Sequence, residues 1–182
     1  QYQISDLNRV KIIPQGLYQN RPNQSKVLPT IKKELGLKNS TFLVCNLAYG
    51  DLRKAPDIFI ATAMAYGRLH PKDDVHFAWI GGIDQTLKVW TDHDVAISKT
   101  SSRTHFMGFR EDAENVYNSL DCFFLSSRED PYPSSVIEAY HSNKPIILFD
   151  QGNGFLGTIS EQFIFVEYQN ILKVVGEIKK LY

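Results

Sequence analysis

Four charged side chains in this chain have the types and spacing to do chemistry. Arg53 and Lys54 close the segment Tyr49-Gly50-Asp51-Leu52-Arg53-Lys54, and Asp130 and Glu138 sit in the stretch Ser126-Ser127-Arg128-Glu129-Asp130-Pro131-Tyr132-Pro133-Ser134-Ser135-Val136-Ile137-Glu138-Ala139. An adjacent Arg and Lys can clamp a diphosphate, the Arg through its planar fork and the Lys as a point charge. The same pair also reads as solvated cations near a helix start, where the dipole disfavours them unless an anion is bound between them. Both readings stay open on the residues alone. Carboxylates accept hydrogen bonds well from vicinal sugar hydroxyls. Asp130 also suits a turn or a helix cap, and Glu138 a solvated helix face. Its neighbours Val136, Ile137 and Ala139 nevertheless put Glu138 close to buried surface, where a carboxylate needs partners. Pro133, Ser134 and Ser135 open a helix between the two acids, and the free N–H groups of a helix start suit a phosphate.

The elements that must position these residues alternate. Short apolar runs read as strands at 42–45, 75–80, 104–109, 122–125, 145–149 and 163–166. Helical patterns fall at 30–35, 57–69, 85–98, 112–120, 133–141 and 169–181. Strands alternating with helices predict an α/β domain, a doubly wound parallel sheet covered on both faces. In such sheets ligands bind at the carboxyl ends of the strands, where the loops holding Arg53 and Asp130 lie. Residues 1–29 are polar and irregular, with a short β-branched strand or hinge at 10–13.

Composition narrows the function classes. Acidic and basic residues balance at 20 each in 182 residues, so no net charge points to nucleic acid. No apolar stretch approaches the roughly 20 residues needed to span a membrane, and no signal peptide is visible. The chain does not begin with Met, which admits a longer protein around it. Cys45 and Cys122 each lie in an apolar run and read as small buried hydrophobes in a reducing compartment. The five histidines show no metal-ligand spacing, so no metal is expected. The string Gly152-Asn153-Gly154-Phe155-Leu156-Gly157 follows a strand, as a dinucleotide fingerprint does. That fingerprint must open a long helix, and the next strand arrives too soon for one. A glycine-rich turn beside the cleft is the better reading, with a dinucleotide-dependent oxidoreductase as the weakest alternative.

The stretch Ser127 to Ala139, followed by Asn143-Lys144-Pro145-Ile146-Ile147, resembles the nucleotide-sugar-binding half of family 4 glycosyltransferases. Their signature is an acidic residue, seven others, then Glu; here Asp130 and Glu138 take those places. The loop Tyr49 to Lys54 is similar to the family's Gly-Tyr-x-Asp-x-Arg-Lys-Gly, Phe106-Met107-Gly108 to its strand before the base-binding loop, and Ile13-Pro14-Gln15-Gly16 to its passage between domains. The resemblance implies a Rossmann-like sheet forming one half of a GT-B architecture. Residues 1–29 would be an inter-domain hinge and 30–182 the donor-binding domain, with an N-terminal acceptor domain outside this chain.

It further implies retaining, metal-independent transfer from a UDP- or GDP-linked sugar, without a cofactor, in polysaccharide or glycolipid assembly. The place would be the cytoplasm, with any inner-membrane contact made through the other domain. By the resemblance, Arg53 and Lys54 hold the donor diphosphate and Asp130 the donor sugar hydroxyls. Glu138 binds the ribose, and the N–H groups of Ser134, Ser135 and Val136, after Pro133, meet the distal phosphate or sugar. Phe109 and Arg110 line the base pocket. Alone, such a domain binds donor and transfers little. Ala48 and Ala55 stand where the family usually has glycines, Asn143 where it has a helix-ending glycine, and Gly157 near a usual Glu. The alanines motivate an alternative, a non-catalytic sugar-nucleotide-binding or scaffold domain.

Overall fold

The apolar runs become strands because their β-branched and aromatic side chains are buried on both faces. The computed structural model describes residues 29–157 and 160–182, so the expectations for residues 1–28, including the strand or hinge at 10–13, lie outside the described residues. The strands are β1 (Phe42–Leu47), β2 (Val75–Ile80), β3 (Thr104–Phe106), β4 (Cys122–Leu125), β5 (Ile146–Phe149) and β6 (Phe163–Val166). They form one six-stranded sheet in the order β3-β2-β1-β4-β5-β6, with every pair parallel. The chain builds outward from β1 to β3, crosses over, and builds outward again from β4 to β6. The strand order therefore reverses between β1 and β4, the switch point at which such sheets bind ligands.

The helices are α1 (Ile31–Glu34), α2 (Pro56–Leu69), α3 (Gln85–Ile97), α4 (Ala113–Ser119), α5 (Ser134–His141) and α6 (Ile171–Leu181). Alternate strand residues feed two cores. Val44, Phe77, Phe124 and Phe149 pack with Phe59 and Tyr66 of α2 and Val174 and Ile178 of α6. Leu43, Cys45, Phe123 and Leu148 pack on the other face with Ile31 of α1, Tyr117 of α4 and Val136 of α5. Both cysteines are free and fully buried, and burial pushes both thiols up. Among the described residues no helix is long and apolar enough to cross a membrane.

Many element ends shift by one to three residues from the sequence reading, and three shifts have a clear physical cause. β1 continues to Leu47 because its whole length pairs with β2. β3 stops at Phe106 instead of reaching 109, because Gly108 turns with φ +67° and its carbonyl accepts from the N–H of Gly81 at 2.7 Å. α4 starts at Ala113, not at Asp112, whose carboxylate is held by Arg110 rather than capping the helix. Between β5 and β6 the described residues contain no helix, as the glycine-rich turn requires.

Candidate functional site

Two loops meet at the switch point. Residues 48–55 leave β1 and enter α2; residues 126–133 leave β4 and enter α5. The first loop is braced by the one after β2. The N–H of Gly50 donates to the Gly82 carbonyl at 2.7 Å, and the Gly50 carbonyl accepts from Asp84 at 2.9 Å. A side chain on Gly81 would overlap the Ala48 carbonyl. Asp51 then folds the loop back, accepting from the Lys54 N–H at 2.7 Å. The second loop is braced by the one after β5. Asp130 donates its N–H to Gly152 at 2.6 Å, and Gly154 donates to Pro131 at 2.7 Å. Side chains on Gly152 or Gly154 would overlap the carbonyls of Arg128 and Pro131, and Tyr132 stacks on Phe155 with centroids 4.3 Å apart. Gly152 and Gly154 thus serve close backbone approach.

Polar contacts join the two loops. Asn46 Nδ2 of β1 donates to Ser126 Oγ at 3.1 Å, and that hydroxyl lies 3.1 Å from the Ala55 carbonyl and 3.2 Å from that of Lys54. The N–H of Arg128 donates to the Arg53 carbonyl at 2.8 Å. Lys54 forms an ion pair with Asp130, which is only 5% exposed. Beside this junction, a cavity of about 420 Å³ at the ends of β1 and β2 is lined by Ala48, Tyr49, Gly81, Gly82, Phe109 and Arg110 among others.

The family described as glycosyl transferases group 1 matches residues 40–182. The chain belongs to this family. Its fold is also that of solved GT-B glycosyltransferases. HepE from Anabaena, solved with UDP and glucose, superposes with a TM-score of 0.70 at 16% identity over 82% of this chain and 40% of its own. The C-terminal domain of LpcC from Francisella tularensis gives 0.68 at 18% identity over 77% and 74%. Sucrose-phosphate synthase from Thermosynechococcus elongatus gives 0.69 at 21% identity over 82% and 38%. This chain therefore spans about 40% of the length of HepE. No curated protein sequence matches it.

Within the glycosyltransferase fold, the predicted site residues fall into two groups. Arg53, Lys54, Asp130 and the start of α5 gather around the β1–β4 junction. Phe109, 81% exposed, and Arg110 line the cavity over β2. Arg53 is exposed, and no described residue pairs with its guanidinium. Lys54 is not equally available, because Asp130 already holds its ammonium. Arg110 is bound by Asp112 at 2.7 Å and by both Glu34 oxygens at 2.7 and 3.1 Å. These hydrogen bonds raise its pKa, and they leave it a neutralised wall rather than a free cation.

At α5, Pro133 precedes the helix with φ −68°, and Ser134 and Ser135 occupy its first turn. Val136 donates its N–H to the Pro133 carbonyl at 3.2 Å, whereas the N–H groups of Ser134 and Ser135 have no acceptor among the described residues. Glu138 lies half-buried one turn further on. Neither α2 nor α5 has a side-chain cap, whereas Thr30, Asp84 and Asn170 cap α1, α3 and α6. Ala55 adopts φ +56° ahead of α2, so the loop keeps the left-handed shape a glycine would take, at a cost of about 1 kcal/mol. Asn143 likewise sits at φ +56° after α5.

Sequence reasoning missed Asn46, Ser126, Asp57 and Arg128. A polar residue inside an apolar strand, Asn46, and an acid in the first turn of α2, Asp57, were the available signals. A second cavity, about 340 Å³, lies at the opposite end of the sheet against Arg68, Lys99 and Arg103. Arg68 and Lys99 follow from the negative ends of α2 and α3 there.

Proposed function

We propose that this chain is the donor-binding half of a retaining glycosyltransferase. It takes a nucleoside-diphosphate sugar and presents it to an acceptor bound by another domain, in polysaccharide or glycolipid assembly. The observation that carries this reading is the junction of the two loops. It joins the loop carrying the exposed Arg53 to the loop that leads into the uncapped α5, through the Arg128 N–H on the Arg53 carbonyl and the pair of Lys54 with the buried Asp130.

The base lies in the cavity at Tyr49 and Phe109, against the face of the Arg110 network. The diphosphate spans from there to Arg53 and the N–H groups of Ser134 and Ser135. As the glycosidic bond breaks, negative charge grows on the leaving diphosphate. A guanidinium and a helix N-terminus already aimed at that charge stabilise it without reorganising. Asp130, paired with Lys54, accepts from hydroxyls of the donor sugar; Glu138 accepts from the ribose. This electrostatic route assigns no step to a metal. That HepE was solved with UDP-glucose supports a uridine donor among the options.

Thermal unfolding with UDP, GDP, ADP and NAD, each with and without EDTA, tests the reading. A ligand at about 100 times its Kd adds about 2.7 kcal/mol of stability. One nucleoside diphosphate should stabilise the chain regardless of EDTA. Arg53→Ala should weaken that binding about 10- to 100-fold, through loss of a charge-assisted hydrogen bond. Stabilisation by NAD alone, or unchanged binding in Arg53→Ala, would overturn it.

A further inference from the structure

Arg128 stands in the acid-bearing loop but spends its polar groups on the opposite, cation-bearing one. Its guanidinium forms a two-pronged pair with Asp57, Nη1 to Oδ1 at 3.0 Å and Nη2 to Oδ2 at 2.6 Å. Nη1 also donates to the Leu52 carbonyl at 2.8 Å. Its backbone N–H donates to the Arg53 carbonyl at 2.8 Å. One residue thereby grips the other loop at 52 and 53 and the first turn of α2 at 57, on both sides of Arg53 in the chain. Arg128 is itself held from behind. Its carbonyl accepts from the Tyr168 hydroxyl at 3.3 Å, and only a glycine fits at 152 against that carbonyl.

A partly exposed ion pair contributes little to global stability, about 0–1 kcal/mol. Its geometric effect is larger, because a planar fork with fixed donors orients what it holds. Asp57 suits the task, since a carboxylate in the first turn of α2 also meets the positive end of the helix. Burial pushes that carboxyl up, and the hydrogen bonds and charge of Arg128 more than reverse the push, so it sits below the usual carboxylate range. The clamp is therefore charged throughout the neutral range.

We infer that Arg128 is a positioning residue: it clamps residues 52–57 to the acid-bearing loop, so that Arg53 meets a diphosphate from a preset backbone. The inference rests on the donor-binding reading for its consequence, and on the contacts above for the clamp. Arg128 touches no substrate in this arrangement; it acts through Arg53.

Arg128→Gln keeps most of the stem and removes the fork. Titration calorimetry with UDP, GDP and ADP should be run on wild type, Arg128→Gln, Arg53→Ala and the double variant. The diphosphate that binds wild type should bind Arg128→Gln about tenfold more weakly, with the melting temperature within about 3 °C of wild type. In the Arg53→Ala background the same change should cost less than about twofold, because its target is gone. An equal loss in both backgrounds overturns the inference, as does no loss. Amide exchange reads the clamp without any ligand. The N–H groups of Lys54 and Ala55 should exchange at least about fivefold faster in Arg128→Gln, with Val44 in β1 unchanged. Unchanged exchange at 54 and 55 overturns it. If no nucleoside diphosphate binds wild type, the donor-binding reading falls and exchange alone decides the clamp.

Discussion

The loop after β1 and the loop after β4 are built alike and filled differently. Each leaves a strand at the switch point, is braced by the loop of the next strand outward, and enters a helix without a side-chain cap. In each, a glycine from the bracing loop lets two backbones touch: Gly81 against Ala48, Gly152 against Arg128. The first loop carries Arg53 and Lys54; the second carries Asp130 and its Arg128 crosses over to grip the first. The same backbone device, used twice, brings opposite charges to one junction. The halves also differ outside the loops. The first continues through α3 to β3, while the second passes from β5 to β6 with no helix among the described residues. On its outer side the acid-bearing loop is braced by the 150–157 turn, with Phe155 stacked on both Tyr132 and Phe163, and by the Tyr168 hydroxyl on the Arg128 carbonyl.

If the two braces are equivalent, breaking either should cost about the same. Gly81→Ala and Gly152→Ala each place a methyl into a carbonyl at positive φ, +131° and +77°. Each should destabilise the chain by about 2–4 kcal/mol in urea titrations. A mild effect at 152 with a severe one at 81 would mean that the second loop yields where the first cannot. Next in size is the knot between the halves. Ser126→Ala leaves Asn46 Nδ2 without its acceptor in a fully buried position and should cost about 1–3 kcal/mol, with little change in folding slope. A change below about 0.5 kcal/mol would show that the loops are held by their own braces only.

The smallest expected effect separates the halves by pH. His76 and His105 stack in the first half, ring nitrogens 2.9 Å apart. Burial, joined by the neighbouring imidazole, depresses His105 to about 4, and burial lowers His76. Their ordinary value is 6.5, so between the two values the unfolded chain binds more protons than the folded one. Stability from this pair is complete above about pH 6.5 and is lost as pH falls toward 4. Solvent screening at these half-buried rings limits the loss to about 1–2 kcal/mol. Amides of β3 should exchange faster at pH 5 than at pH 7.5 relative to those of β5, and His105→Gln should remove most of that difference. Equal acceleration in both strands would place the acid sensitivity elsewhere.

Much of the fold was legible along the chain. Near-continuous apolar runs such as Cys122–Leu125 have one physical solution, burial on both faces, and so announce a parallel sheet. Element ends were less legible where a distant group ends them. β3 stops at Phe106 because Gly108 turns and Gly81 of another loop takes its carbonyl, a partner that no residue near 106 signals. The candidate site divides in the same way. Arg53, Lys54, Asp130 and Glu138 stood out because charge in a loop after an apolar strand is a local pattern.

Their partners are not local. Lys54 and Asp130 are 76 positions apart, and Arg128 and Asp57 are 71 apart. Sequence by itself determined which residues are strands, which loops follow them, and which charges those loops carry. Backbone propensity and apolar burial act over a few residues, and both can be read there. Only the tertiary structure decided that β1 and β4 lie side by side. It thereby decided that Lys54 is spent on Asp130, that Arg110 is neutralised by Glu34 and Asp112, and that Arg53 stays exposed with no partner for its guanidinium among the described residues. Charge pairing is a matter of a few ångströms in space, and the strand order that creates those distances is not written in any one segment.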